Sequence, residues 1–174
     1  TKKINQENSI SIFSSSPRRQ YNLELFIKSY LPFKIKNIKF ENIRGNILTR
    51  FKKFTEGNVD GFVVAKAAID RLLNADQNYF PDTKKNLLSY INECLWSVIP
   101  LSINPSSPGQ GALAVEIRTE DTDLKKILSK INNMADYKNV TLERKELEKY
   151  GGGCHQKIGV SFKKKPLVGF ANFP

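Results

Sequence analysis

The sequence predicts an α/β protein: a domain built on a parallel-rich sheet, followed by a small α+β domain. Two observations carry this. Over residues 1–103 an apolar strand pattern, a polar loop and a helical pattern recur in that order three times, and parallel strands need such crossovers. A proline-, serine- and glycine-rich link, Asn104-Pro105-Ser106-Ser107-Pro108-Gly109-Gln110-Gly111, then separates this part from one in which helical patterns precede two closing strands. At 174 residues, with 40% hydrophobic and 26% charged content, the chain is long enough to bury a core.

Ser9–Ser14 alternates Ile10 and Ile12 with serines and predicts the first strand. Ser14-Ser15-Ser16-Pro17 is a helix-start signal, with serine to cap and proline in the first turn. Tyr21, Leu23, Leu25, Phe26, Ile27 and Tyr30 supply its apolar face. Phe33–Phe40 alternates again, with a phase slip near Asn37, and runs into the loop and helix around Arg44–Phe51. Asp60–Ala65 reads as a buried strand passing directly into a helix over 67–73. Lys84–Cys94 predicts a helix, Trp96–Leu101 a short strand and Ala112–Arg118 another. Helical spacing returns at Thr122–Met134 and from Asn139 to the glycines at 151–153. Strands at His155–Phe162 and Pro166–Phe173 close the chain, with Lys163-Lys164-Lys165 as the hairpin tip.

The net charge of +11 calls for an anionic partner. Lysines gather in runs that read as solvated faces, whereas Arg18, Arg19, Arg44 and Arg50 sit in loops among small and polar residues. A guanidinium is a planar fork suited to carboxylate or phosphate. Arg18 and Arg19 stand at a helix start, where the helix dipole disfavours cations, and that misplacement argues for a bound anion. In parallel sheets ligands bind where strand ends meet helix starts, and each of these loops lies at such a junction. Arg71, on the helix after the third strand, is a weaker member of the set, because Asp70 and the helix face also explain it.

Cys94 and Cys154 are the two cysteines and His155 the one histidine; they suit neither a disulfide framework nor a zinc site, and a reducing cytoplasmic location fits. No apolar run approaches the roughly 20 residues of a membrane helix, and the N-terminal residues do not resemble a signal peptide. Without an initiator methionine, the chain is expected to be a piece of a longer polypeptide. Gly151-Gly152-Gly153 ends a charged helical run and delivers Cys154 to an open corner. Cys94 reads as core, and His155 as a partner to nearby backbone.

The order of these motifs resembles one family. Ser15-Ser16-Pro17-Arg18-Arg19-Gln20, Arg44-Gly45-Asn46-Ile47-Leu48-Thr49-Arg50, Pro108-Gly109-Gln110-Gly111-Ala112, Glu143-Arg144 and Gly152-Gly153-Cys154 are similar to the porphobilinogen deaminases, or hydroxymethylbilane synthases. The resemblance implies a cytoplasmic, monomeric transferase of tetrapyrrole (haem) synthesis. Such an enzyme condenses four porphobilinogen molecules into hydroxymethylbilane with release of ammonia. It implies a dipyrromethane cofactor held covalently by Cys154, with Arg18, Arg19, Arg44, Ser15 and Ser16 as cofactor-binding residues and Arg50 and Arg71 as substrate-binding residues. Porphobilinogen and its oligomers are the partners; metal, nucleic acid and membrane are not. Residues 1–103 look like the family's second, periplasmic-binding-protein-like domain. Residues 104–120 look like a crossover completing the first domain, and 121–174 like a shortened third domain bearing the cysteine.

The family's acid–base aspartate lies in a Lys-Asp motif of the first domain. No Lys-Asp pair occurs in this chain, so no catalytic residue is assigned, and Asp60 and Asp70 do not take its place. Pro17 replaces an aliphatic residue and Gln156-Lys157 a Val-Pro, which bears on local loop geometry. Two other classes compete. A non-catalytic anion-binding module on the same fold explains the arginines but not the glycine-delivered cysteine. A nucleic-acid-binding protein fits a pI near 9.6, but the aromatics fall in the apolar phase of strands and helices rather than among the basic residues.

Overall fold

The computed structural model describes residues 8–30, 34–76, 78, 81–151, 157–163 and 165–167. The chain divides into two units, Thr1–Ile99 and Pro100–Pro174.

The first unit holds a parallel sheet of three strands, β1 (Ser9–Phe13), β2 (Asn37–Glu41) and β3 (Gly61–Phe62), in the order β2-β1-β3. Register pairs Phe13 with Glu41 on one side and with Phe62 on the other, so the three strands end level. Helices α1 (Pro17–Tyr30), α2 (Ile47–Glu56), α3 (Lys66–Leu73) and α4 (Pro81–Asn92) complete the unit. The chain leaves β1 for β2 through α1, then crosses back over β1 to β3 through α2. Right-handed crossovers in opposite directions put α1 and α2 on opposite faces.

The packing bears this out. Ile12, Leu23, Ile27 and Ile35 form one buried cluster, joined by Ile10, Ile38, Phe40 and Val63. Phe51, Ile69 and Leu87 form another, joined by Phe62, Val64 and Tyr90. The period of two decides the split: Val63 faces the α1 side, Phe62 and Val64 the other. Phe51 anchors the second cluster, edge-on to Phe62 at 5.3 Å and stacked on Tyr90 at 5.9 Å.

The second unit contains α5 (Thr122–Ser129), α6 (Met134–Glu148) and a hairpin of β4 (Ser161–Lys163) and β5 (Lys165–Leu167). The helix expected from Asn139 begins earlier because Asn133 caps it, its Oδ1 accepting from the N–H groups of Ala135 and Asp136. β4 starts later than expected, and Lys163 pairs with Lys165 across the turn. Position 164 and residues 168–174 lie outside the described residues, as do 31–33 at the start of the second expected strand.

Two expected strands are absent. Residues 96–101 and 112–118 form no ladder with any described residue. An extended segment becomes a strand only when a neighbour takes its hydrogen bonds. Most of their apolar side chains lie open instead, Val98 67% and Leu113 95% exposed, while Ile99 packs against the first cluster.

Leu87 is fully buried on α4 among Phe51 and Ile69. Leu87→Ala should destabilise the first unit by about 3 kcal/mol. Urea unfolding checks this: the midpoint should fall with the slope unchanged.

Candidate functional site

The C-terminal ends of β1, β2 and β3 open onto the first turns of α1, α2 and α3. Because successive crossovers leave β1 in opposite directions, this is the switch point of the sheet, where helices on the two faces diverge and leave a crevice.

Ser15 ties the loops of this crevice together. Its hydroxyl donates to the carbonyl of Ile43 at 2.8 Å and accepts the N–H of Ile43 at 2.8 Å. The turn before α1 is thereby fastened to the loop before α2, so Ser15 positions both. Ser16 precedes α1, and its Oγ accepts the N–H of Arg19 at 3.4 Å, a long capping bond. Asn46 caps α2, accepting from the N–H of Thr49 at 2.8 Å. Gly45 turns the chain into that cap at φ +120°; a Cβ there would meet Thr49 Cγ2 at 2.8 Å, so only glycine fits.

Arg18 and Arg19 leave the first turn of α1. Arg18 is buried at 5% exposure; burial, with Arg19 adding repulsion, lowers its pKa to about 10. Arg19 is lowered chiefly by burial and then by the charge of Arg50. Arg19 therefore lies between two other guanidinium groups, that of Arg18 on its own helix and that of Arg50 on α2. Arg50 donates from Nε to the carbonyl of Gly45 at 2.7 Å. Arg44 is exposed in the intervening loop. No described carboxylate lies in ion-pair range of Arg19, Arg44 or Arg50; the ion pairs among the described residues that involve neither Arg18 nor Glu143 all use lysines. Arg71 is separate. It lies exposed in the last turn of α3, at the end where the dipole favours a cation.

The acidic residues show the same bias. Helices α1, α2 and α3, which start at the sheet mouth, have none in their first turns. Helices α4, α5 and α6 carry Asp82, Asp123 and Asp136 there. Carboxylates are the ordinary partners of helix starts, so their exclusion from these three leaves the local positive field unspent.

Ser14, which ends the β1 segment, was not singled out by sequence. It is 2% exposed, and its Oγ has no hydrogen-bond partner among the described residues, whereas buried hydroxyls are nearly always paired. A small polar residue in phase with Ile10 and Ile12, at a position where the strand pattern calls for an apolar one, was the available signal.

In the second unit, Gly109 donates its N–H to Glu143 Oε2 at 2.7 Å, joining two motifs distant in sequence. Gly159 packs against Pro105, where a Cβ would stand 2.5 Å from the carbonyl oxygen, and the N–H of Val160 bonds to Ser106 at 2.9 Å. The stretch just after the glycine–cysteine motif is therefore pinned to the 105–111 link. Cys154 and His155 lie outside the described residues. Cys94 is partly buried and donates its thiol to the Tyr90 carbonyl at 3.1 Å. Its pKa is raised by burial and then by Glu93, which makes it a poor nucleophile. The described residues hold no group of three metal-ligating side chains and no helix long and apolar enough to cross a membrane.

Residues 2–126 match the family model described as porphobilinogen deaminase, dipyromethane cofactor binding domain. The chain belongs to the porphobilinogen deaminase family. A probable porphobilinogen deaminase of Sulfurisphaera tokodaii is 36% identical over 79% of this chain and 40% of its own length. One from Methanocaldococcus jannaschii is 34% identical over 90% of this chain and 44% of its own. The porphobilinogen deaminase of Caldicellulosiruptor saccharolyticus is 41% identical over 71% and 37%. The chain thus spans about two fifths of the length of these deaminases.

Two outcomes follow from the geometry. Arg19→Gln removes a half-buried cation repelled by two neighbours, so the melting temperature should hold or rise by about 2 °C while affinity for a tricarboxylate such as citrate falls; calorimetry reads both. Folding holds Arg18 below its unfolded pKa, so its charge costs stability while the proton is bound and that cost is relieved as pH rises through about 10. Citrate binding should weaken over that same interval, which a pH series of titrations measures.

Proposed function

We propose that this chain is the anion-binding and cofactor-carrying part of a porphobilinogen deaminase. The reaction is the transferase condensation of four porphobilinogen molecules into hydroxymethylbilane, with loss of ammonia, in tetrapyrrole biosynthesis. One observation carries the reading: Arg18, Arg19 and Arg50 gather at a sheet mouth whose three helix starts carry no acidic residue. Porphobilinogen carries an acetate and a propionate, so each addition to the growing chain adds negative charge. The required holder is an array of cations that repel each other until the ligand arrives.

The donor set fits a dipyrromethane with its carboxylates. Arg18, Arg19 and Arg44 would take those carboxylates, with Ser16 and the α1 N–H groups beside them, and the unpaired Ser14 hydroxyl is available to the same ligand. Ser15 keeps the two loops in register, and Arg50 serves substrate while bracing Gly45. Arg71 stands furthest from this reading, since its helix end accounts for it. The dipyrromethane supplies the terminal pyrrole carbon to which porphobilinogen is joined. Cys154 is its thioether anchor, supported by the inert setting of Cys94. Each charge-assisted contact contributes about 1.5–3 kcal/mol, so four or five suffice to hold a poly-acid without an apolar pocket.

The first unit fits the periplasmic-binding-like second domain, over 1–103. The unpaired, apolar segment within 104–120 fits a crossover that finds its strand partner in a first domain, and 121–174 fits the third. The acid–base aspartate is supplied by that first domain, and the setting is a cytoplasmic monomer.

Intact-mass analysis tests this. After incubation with porphobilinogen, a full-length enzyme built around this chain should gain the mass of linked pyrroles. That gain should vanish in Cys154→Ser, and the 174-residue chain alone should not turn over. No pyrrole adduct, together with steeply salt-dependent RNA binding, would replace this reading with the nucleic-acid one.

A further inference from the structure

We propose that Lys53 is a positioning residue for the Arg44–Gly45 loop, and through it for the Arg44 guanidinium; the ligand half of this statement rests on the function proposed above. Lys53 lies in the last turn of α2, where the dipole favours a cation and where Lys52 pairs with Glu56 at 3.8 Å. Lys53 forms no such pair with any described carboxylate. Its ammonium reaches back along the helix, as helical side chains do, and donates to the carbonyl of Arg44 at 3.1 Å. Arg50 takes the next carbonyl, that of Gly45, at 2.7 Å. Two consecutive carbonyl oxygens are thus drawn onto the flank of α2 by two cations.

The peptide plane makes this consequential. In a trans peptide the C=O and N–H point in opposite directions. Fixing the carbonyls of Arg44 and Gly45 on α2 turns the N–H groups of Gly45 and Asn46 the other way, and neither has a partner among the described residues. The loop then offers only donors beside Arg44, and its partial negative charges are covered. Gly45 at φ +120° is the joint that permits this turn, and Ser15 fixes the loop's other end at Ile43. Without Lys53 the Arg44 peptide is held from one side only.

The test uses the 174-residue chain and two readouts. In nitrogen–proton NMR spectra, Lys53→Met should shift the Gly45 amide, whose peptide carbonyl loses its donor, while Lys53→Arg leaves it near the wild-type position and the melting temperature stays constant. In calorimetric titrations with porphobilinogen, Lys53→Met should weaken binding roughly two- to tenfold, the worth of one hydrogen bond. Lys53→Arg should restore it, and the loss should disappear in an Arg44→Gln background. An unmoved Gly45 amide in Lys53→Met overturns the proposal. So does an equal loss of affinity with and without Arg44, which marks Lys53 as a direct or long-range charge. If the wild-type chain binds no porphobilinogen, the proposed function falls, and the Gly45 amide still decides whether Lys53 holds the loop.

Discussion

Everything at the sheet mouth depends on the pair of hydrogen bonds between the Ser15 hydroxyl and the backbone of Ile43. They join the turn that carries Arg18 and Arg19 to the loop that carries Arg44 and leads to Arg50. The joined parts repel each other: Arg19 feels Arg50, and Arg18 feels Arg19. Left to themselves, loops bearing like charges drift apart into water. Here parallel strands that end level, hydrophobic clusters on both faces and one hydroxyl clip hold them close. The fold does work against electrostatics at this one place, and a ligand of opposite sign recovers it. That is preorganisation in the ordinary sense, with the cost met at folding and not at binding.

Much of this was legible in the sequence, for a physical reason. The strand–loop–helix rhythm is short-range: alternation, capping serine and first-turn proline each act over a few residues, so β1, α1 and the existence of α2 could be read directly. The arginines were legible because their position conflicts with the helix dipole, and a conflict in one segment needs no knowledge of the rest. What required the structure was long-range. The engagement of Ser15 by Ile43, the unpaired Ser14 hydroxyl and the bond from Gly109 to Glu143 connect residues that no local pattern relates.

The misreadings have the same origin. Residues 96–101 and 112–118 have the composition of strands, and the prediction from composition treats a strand as a property of its own residues. It is a property of a pair. Helical spacing is plain from Asn139, yet Asn133 offers its side chain six residues sooner and the helix starts there. In each case the local pattern was right and its reach was misjudged.

The two open segments carry a consequence for handling this protein. Between Leu113 and Ile117 the main chain has no ladder partner among the described residues, and Leu113 and Val115 are exposed to solvent. An edge of that kind accepts any extended peptide that matches its register, including the same stretch of another copy. Concentrated solutions of the chain by itself will therefore tend toward association through these residues, and a charged substitution at Leu113 is the economical way to suppress it.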